Sequence, residues 1–314
     1  MHIVVSIKQV PDTAEVRIDP RTNTMIRNGV PSIVNPDDRH AVEEAVHLKE
    51  QFGGRVSVVT MGPNQAKDAL REAVSFGADQ GILLSDRRFA GADTLATSYV
   101  LWKSILRLNS EAPVELVLCG RQALDGDTGQ VPPGIATRLG WPQLTSVLRV
   151  DEVNLQDRWI KVQRMVEGGR EIVRAKLPCV LTCTREMNVP RYATFPNMVK
   201  AARYDPLVWD REALGIDDES QVGLRGSPTI VSKVWAPAPR QRGATVWIDG
   251  SDPDQAAEQL IPILINAAKN QIERLQDPAA EVSPENPANG AERPRVPATE
   301  NGPDNRPSNV AKHG

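Results

Sequence analysis

The chain has 314 residues and a formal net charge of −3. That length can bury a sizeable core in one or two domains, and the charge balance leaves no electrostatic footprint for nucleic acid. No apolar run approaches the ~20 residues that span a bilayer, which argues against membrane insertion, and Met1–Lys8 lacks the basic leader of a signal peptide.

His2 to Lys8 is a strongly apolar opening strand bounded by Pro11. Residues 12–34 carry alternating stretches around Val16–Ile18 and Thr24–Ile26, which read as a peripheral hairpin. Asn35-Pro36-Asp37-Asp38 announces a helix, with Asn as N-cap, Pro at the first position and acids in the first turn. Gly53-Gly54 ends it. Arg55–Thr60 reads as the next strand, and Met61-Gly62-Pro63-Asn64 as a turn into a helix whose buried face is Ala66, Leu70, Ala73 and Val74. Gly81–Leu84 is a third strand. Asp93–Leu108 is a third helix, with Leu95, Tyr99, Trp102 and Leu106 as its expected core face. Val114–Cys119 is a fourth strand, and a helix follows at Gly134–Leu139.

Beyond Leu139 the pattern changes. Thr145–Val150, Trp159–Val166 and Glu171–Ala175 read as antiparallel strands, and Cys179–Thr184 as a last buried one. From Val189 to Gly243 periodicity is weak and prolines recur, the mark of an arm lying on a surface. Thr245–Ile248 reads as a short strand, and Asp252–Leu275 as an amphipathic helix with Ala256, Leu260, Leu264, Ala267 and Ala268 on one side and a kink at Pro262. Residues 277–314 hold seven prolines and no aromatic residue, a composition expected to stay disordered. Strands alternating with helices predict an α/β fold. Its sheet is doubly wound and mostly parallel, with an antiparallel extension and a C-terminal arm.

Three polar strand-to-helix turns, Ser6–Val10, Met61–Gln65 and Gly120–Gln130, gather at the carboxyl ends of such a sheet, where ligands bind. With Asn35–Asp38 they can enclose one nucleotide-sized molecule. The richest is Gly120-Arg121-Gln122-Ala123-Leu124-Asp125-Gly126-Asp127-Thr128-Gly129-Gln130-Val131-Pro132-Pro133. It reads either as an anion cradle at a helix N-terminus or as a solvent-exposed Asp/Gly turn. Gly126 and Gly129 allow close approach or φ > 0, and the prolines suit a first helical turn. Thr128, Gly129 and Gln130 are the better phosphate partners. Asp125 and Asp127 either accept ribose hydroxyls or close their own turns. Asp37 and Asp38 repel phosphate, which places that corner nearer a base or ribose.

Several motifs are absent: the Gly-x-Gly-x-x-Gly fingerprint, the Walker loop and the Gly-x-Ser-x-Gly elbow. The histidines (His2, His40, His47, His313) are badly distributed for nucleophilic catalysis, and Cys119, Cys179 and Cys183 form neither a disulfide framework nor a metal site. No catalytic residue and no metal ligand is assigned. Such cysteine usage fits a reducing cytoplasm, and the chain reads as a binder of nucleotide or cofactor.

Val162-Gln163-Arg164, Glu167-Gly168-Gly169-Arg170-Glu171-Ile172-Val173 and Leu177-Pro178-Cys179-Val180-Leu181-Thr182 together resemble the beta subunit of electron transfer flavoproteins. Val4–Lys8, Asn35-Pro36, Glu43–Glu50, Gly62-Pro63, Gly77–Asp79 and Asn188–Asn197 extend the resemblance over roughly residues 1–275. It implies a heterodimer with an alpha subunit that holds a redox-active FAD, and a nucleotide in the pocket of this chain. The implied cofactor-binding set is Ser6, Lys8, Asn35, Asp38, Thr60, Met61, Gly120, Ala123, Asp125, Gly126, Asp127, Thr128, Gly129, Gln130 and Val131. In housekeeping members the nucleotide is AMP. The wording Asp125–Val131 is similar to the electron-bifurcating branch, where it is a second FAD, and Met1–Val5 with Lys8–Asp12 is similar to the Fix type associated with nitrogen fixation. Pro132-Pro133 departs from the Gly-Pro more usual in related sequences, at the point where the loop would meet phosphates.

By the same resemblance, Arg191, Tyr192, Phe195 and Pro196 belong to the loop that docks partner dehydrogenases. Phe195 is then an exposed anchor rather than a side chain packed beneath the arm. The implied organisation is a nucleotide-binding α/β domain over 1–190, an arm and helix over 191–276 docking on the alpha subunit, and the tail 277–314. Electrons would pass from NADH or a flavin dehydrogenase to a quinone-linked oxidoreductase, with ferredoxin or flavodoxin as second acceptor if the pair is split. A stand-alone adenine-nucleotide-binding module is the competing reading, against which the Glu167-Gly168-Gly169 region and the long arm speak.

Overall fold

Short runs of Ile, Val and Leu set the architecture. The computed structural model describes residues 1–12, 17–18, 25–26, 31–230 and 246–276. Its strands are β1 (His2–Ser6), β2 (Gln9–Pro11), β3 (Arg17–Ile18), β4 (Met25–Ile26), β5 (Ser32–Val34), β6 (Arg55–Met61) and β7 (Gln80–Leu84). They continue with β8 (Leu116–Gly120), β9 (Gln143–Asn154), β10 (Trp159–Val166), β11 (Gly169–Lys176), β12 (Cys179–Cys183) and β13 (Leu207–Trp209). The helices are α1 (Pro36–Phe52), α2 (Lys67–Ser75), α3 (Thr94–Glu111), α4 (Val131–Leu139), α5 (Phe195–Arg203) and α6 (Pro253–Gln276).

Nine strands make one sheet in the order β11-β10-β9-β12-β8-β1-β6-β7-β13. From β9 to β13 every neighbouring pair is parallel, and only β9-β10-β11 run antiparallel. Burial on both faces explains the near-continuous apolar strands. Ile3, Val5, Val56, Val58, Leu116 and Leu118 point into a core under α1 and α2. The alternating Val4, Val59, Val117 and Cys119 point into a second core under α3 and α4. The chain runs from β1 to β6 and β7 on one side, then crosses to β8 on the other. The switch point of the sheet therefore lies between β1 and β8, where a crevice opens at the carboxyl ends of the strands.

The expected hairpin is present, with Arg17–Ile18 paired antiparallel to Met25–Ile26. The expected core face of α3 is not. Ala96, Val100, Leu101, Ile105 and Leu108 are buried, while Leu95 and Leu106 are exposed and Tyr99 and Trp102 lie only partly buried. The helix is apolar around most of its circumference, so periodicity alone leaves its rotation open. Small residues decide it: Ser98 and Ser104 go inward because each hydroxyl donates to a carbonyl three residues back. Gly134 of α4 fits against Ser98, where a Cβ would come within 2.7 Å of Oγ. Val246–Ile248 form no strand, contrary to expectation.

Residues 191–230 pack on the sheet. The Gly81 N–H donates to the Tyr204 hydroxyl at 2.7 Å, β13 pairs with β7, and Leu214, Ile216 and Val222 enter the second core. The chain divides into two units, Met1–Pro237 and Ala238–Gly314. In the second, α6 runs continuously through Pro262 and exposes Leu260, Ile261, Ile263, Leu264 and Ile265. Residues 277–314, expected as a tail, lie outside the described residues.

Candidate functional site

The crevice at the switch point holds a cavity of about 320 Å³. Its walls come from the ends of β1 (Ser6, Ile7, Lys8), β6 (Met61) and β8 (Cys119, Gly120), from Asp38 in the first turn of α1, and from the loop and helix start Gln122–Pro132. Of the sequence-derived set, Ser6, Lys8, Asp38, Met61, Gly120, Ala123, Gly126, Thr128, Gly129, Gln130 and Val131 line this one cavity.

Asn35, Thr60, Asp125 and Asp127 do not line it. Asn35 marks the start of α1, but its side chain does not cap the helix. Buried, it works instead as a substitute backbone for the neighbouring loop. Nδ2 donates to the Gln122 carbonyl at 2.9 Å, and Oδ1 accepts from the Leu124 N–H at 3.0 Å. Thr60 is fully buried within β6. Asp125 is paired with Lys8, and Asp127 takes φ 53° and accepts from the Gln122 side chain. Between the two glycines the positive φ falls on Gly129, at 61°, whereas Gly126 faces open space.

One wall escaped the sequence reading. Ala92, Asp93, Thr94, Thr97 and Leu101, at the start of α3, line the cavity as well. Gly91-Ala92-Asp93-Thr94 carries the signal that could have revealed it: a small-residue turn after β7 with an Asp N-cap. Asp93 accepts from the N–H groups of Leu95 and Ala96 and from the N–H and hydroxyl of Thr229. Burial works to raise its carboxyl, but the bonds from Thr229, Ala96 and Leu95 outweigh it and hold the group below its ordinary value. The Thr94 hydroxyl donates to Gln130 Oε1 at 2.8 Å and so ties this wall to the loop.

Asp38 stitches the other side. Its carboxylate accepts from the Lys8 N–H at 2.7 Å and from the Gly120 N–H at 3.0 Å. Burial pushes its carboxyl up to about 7, against the bonds from Asn35, Lys8 and Gly120 that favour the charge. Gly120 must be glycine here, since a Cβ would stand 2.2 Å from Asp38 Oδ1. Asp37 turns away to Arg185 at 2.7 Å.

What remains open are donors. Among the described residues, no backbone or side-chain acceptor takes the N–H of Thr128, Gly129, Gln130 or Val131. Pro132 and Pro133 sit in the first turn of α4, where a missing N–H costs little. The helix therefore presents Val131 and the three preceding amides as its whole anion-facing set, at the positive end of its dipole. Cys119, the thiol on the wall, is a poor nucleophile, since it is buried and its pKa is driven far up by desolvation and then by Asp38. Such open donors at a helix N-terminus suit an anionic ligand.

A second loop leaves β12 beside it. Arg191 donates to both oxygens of Glu43 at 2.9–3.1 Å and to Glu50 at 2.6 and 3.0 Å, clamping the loop to α1. Beyond the clamp Tyr192 is 97% and Phe195 78% exposed, so Phe195 faces outward. Pro196 stands in the first turn of α5 under the Thr194 cap.

A sequence model described as the electron transfer flavoprotein domain matches residues 22–210. Protein FixA of Azotobacter vinelandii is 49% identical over 271 residues, which cover 86% of this chain and 96% of the relative. The chain belongs to the electron transfer flavoprotein family. Electron transfer flavoprotein subunit beta of Thermoanaerobacterium thermosaccharolyticum is 47% identical over 276 residues, 88% of this chain and 98% of that one. The subunit beta of Clostridium acetobutylicum is 48% identical over 233 residues, 74% and 87% of the two chains. The family match spans β8, the loop after it and β12, so it covers most of the cavity described above.

Proposed function

We propose that this chain is the beta subunit of a heterodimeric electron transfer flavoprotein of the FixA kind, and that its cavity holds the diphosphate and adenylate of FAD. The observation that carries the reading is the run of unpaired amides from Thr128 to Val131 at a helix N-terminus. Such groups suit a phosphate or a similar oxyanion. A flavin bound there supplies one- and two-electron chemistry, which sharing a donor's electron pair between a quinone-linked acceptor and ferredoxin or flavodoxin requires. The chain's own part is to fix the phosphates through the loop, hold the loop through Asn35 and Asp38, and shield the ligand with Met61, Leu101 and Val131.

AMP is the second reading, favoured by size. At about 320 Å³ the cavity stands at the small end of small-molecule sites, which span roughly 300–1,000 Å³. In that case the subunit supports transfer by the alpha-subunit flavin alone. Phe195, Tyr192 and Pro196, held out by Arg191, are the proposed dock for a flavin dehydrogenase or quinone-linked oxidoreductase. The exposed leucines and isoleucines of α6 are proposed to dock on the alpha subunit. No described helix is long and apolar enough to cross a membrane, and we place the complex in the cytoplasm.

Purification with the alpha subunit followed by nucleotide extraction tests all of this. Two FAD per heterodimer are expected. One FAD with one AMP selects the second reading, and a colourless monomer that ignores the alpha subunit overturns both.

A further inference from the structure

Among the described residues, Lys8 is the one basic side chain on the cavity wall, and its ammonium is committed. Nζ donates to both carboxylate oxygens of Asp125, at 2.7 and 2.8 Å. Lys8 follows β1 and Asp125 lies in the loop after β8. These strands are parallel neighbours, so the pair joins two walls of one cavity.

The rest of the loop shows what that pair does. Asn35 holds Gln122 and Leu124, and Thr94 holds Gln130. Between them, Gly126 and Asp127 make only local bonds, to the Ala123 carbonyl and to the Gln122 side chain. Among the described residues, Lys8–Asp125 is thus the single hydrogen-bonded ion pair that holds the 125–129 tip to the opposite wall. That tip carries Gly126, Thr128 and Gly129 over the cavity. We propose that the Lys8–Asp125 pair is a latch on the nucleotide site, positioning the 125–129 tip over the ligand and setting how fast a bound nucleotide leaves.

The inference rests on the nucleotide reading above, so the test begins by counting nucleotide in the wild-type heterodimer. A protein that carries none overturns that reading and the latch with it. With nucleotide present, the complex is diluted into excess AMP and the released nucleotide is followed by chromatography. Lys8 is half exposed, so each of Lys8→Met and Asp125→Asn is expected to speed release about fivefold, in line with a partly screened pair. The double variant is expected to be no faster than either single one, and Lys8→Arg to retain slow release. Higher ionic strength should speed the wild type and leave Asp125→Asn unchanged. Unchanged release in both single variants overturns the latch. So does faster release in Lys8→Met with slower release in Asp125→Asn, which would make Lys8 a phosphate ligand that Asp125 restrains.

Discussion

Two loops leave the same end of the sheet from adjacent strands, and they are built in opposite ways. The loop after β8 is concave: side chains from outside it, Asn35, Lys8 and Thr94, grip its backbone or its polar side chains, and its amides are left facing a cavity. The loop after β12 is convex: its own Arg191 grips α1, and its aromatic side chains are left facing outward. The first presents donors at fixed positions and the second presents apolar area. The physical difference predicts a functional one. Damage to the first should appear in folding and ligand content, and damage to the second only in encounters with other proteins.

The largest effect is expected from Asn35→Ala. It leaves the partly buried Gln122 carbonyl and Leu124 N–H without these partners. Unmade bonds of this kind cost about 1–3 kcal/mol each, so roughly 3 kcal/mol of unfolding free energy should be lost. Denaturant titration reads that loss, and the purified variant should hold little nucleotide. A variant of wild-type stability with full nucleotide content would remove Asn35 from the loop's support.

Phe195→Ala should do the reverse. The side chain is 78% exposed, so stability should stay within about 0.5 kcal/mol of wild type. An exposed apolar anchor at the centre of a small interface contributes about 2 kcal/mol or more, so kcat/KM with the electron-transfer partner should fall roughly thirtyfold. The contrast between the loops fails if Phe195→Ala unfolds the protein or leaves the partner reaction untouched.

The two loops also differed in how far the sequence could be read. The Gly/Asp/Thr run between a buried strand and a Pro-Pro helix start marks the concave loop as a cradle or an exposed turn without deciding between them, because backbone donors depend on local residue types. The parallel strands were equally legible, since burial on both faces demands runs such as Ile3–Val5 and Leu116–Leu118. What could not be read was where side chains end. Asn35 carries a perfect helix-cap pattern, yet its amide serves residues 87 and 89 positions away. Lys8 meets an acid 117 positions on. The rotation of α3, and with it the wall from Ala92 to Leu101, rests on how closely Ser98 and Gly134 approach, which no apolar period encodes. Nothing in the residues alone turned Phe195 outward. Only the resemblance suggested it, and its exposure follows from where Arg191 finds Glu43 and Glu50.

The most diagnostic difference is in pH dependence, because one acid beneath each loop, Asp38 and Glu50, is shifted in the opposite direction to the other. Asp38, under the concave loop, is raised to about 7, chiefly by burial. Its unfolded-state counterpart ionises near the ordinary value of 3.8. Between these values the folded chain holds a proton that the unfolded chain has released, so this group makes stability fall as pH rises from about 4 to about 7. Glu50, under the convex loop, is lowered from 4.5 chiefly by its bond with Arg191. Its contribution is present above 4.5 and is lost as pH falls through the lowered value. Urea titrations across this range should therefore show that Asp38→Asn removes the decline toward neutrality, while Glu50→Gln alters only the acid limb. If Asp38→Asn keeps the wild-type slope between pH 4 and 7, the buried carboxyl does not titrate in that window. The stitching of Lys8 and Gly120 would then be done by a permanently ionised group, and the two loops would share one pH response.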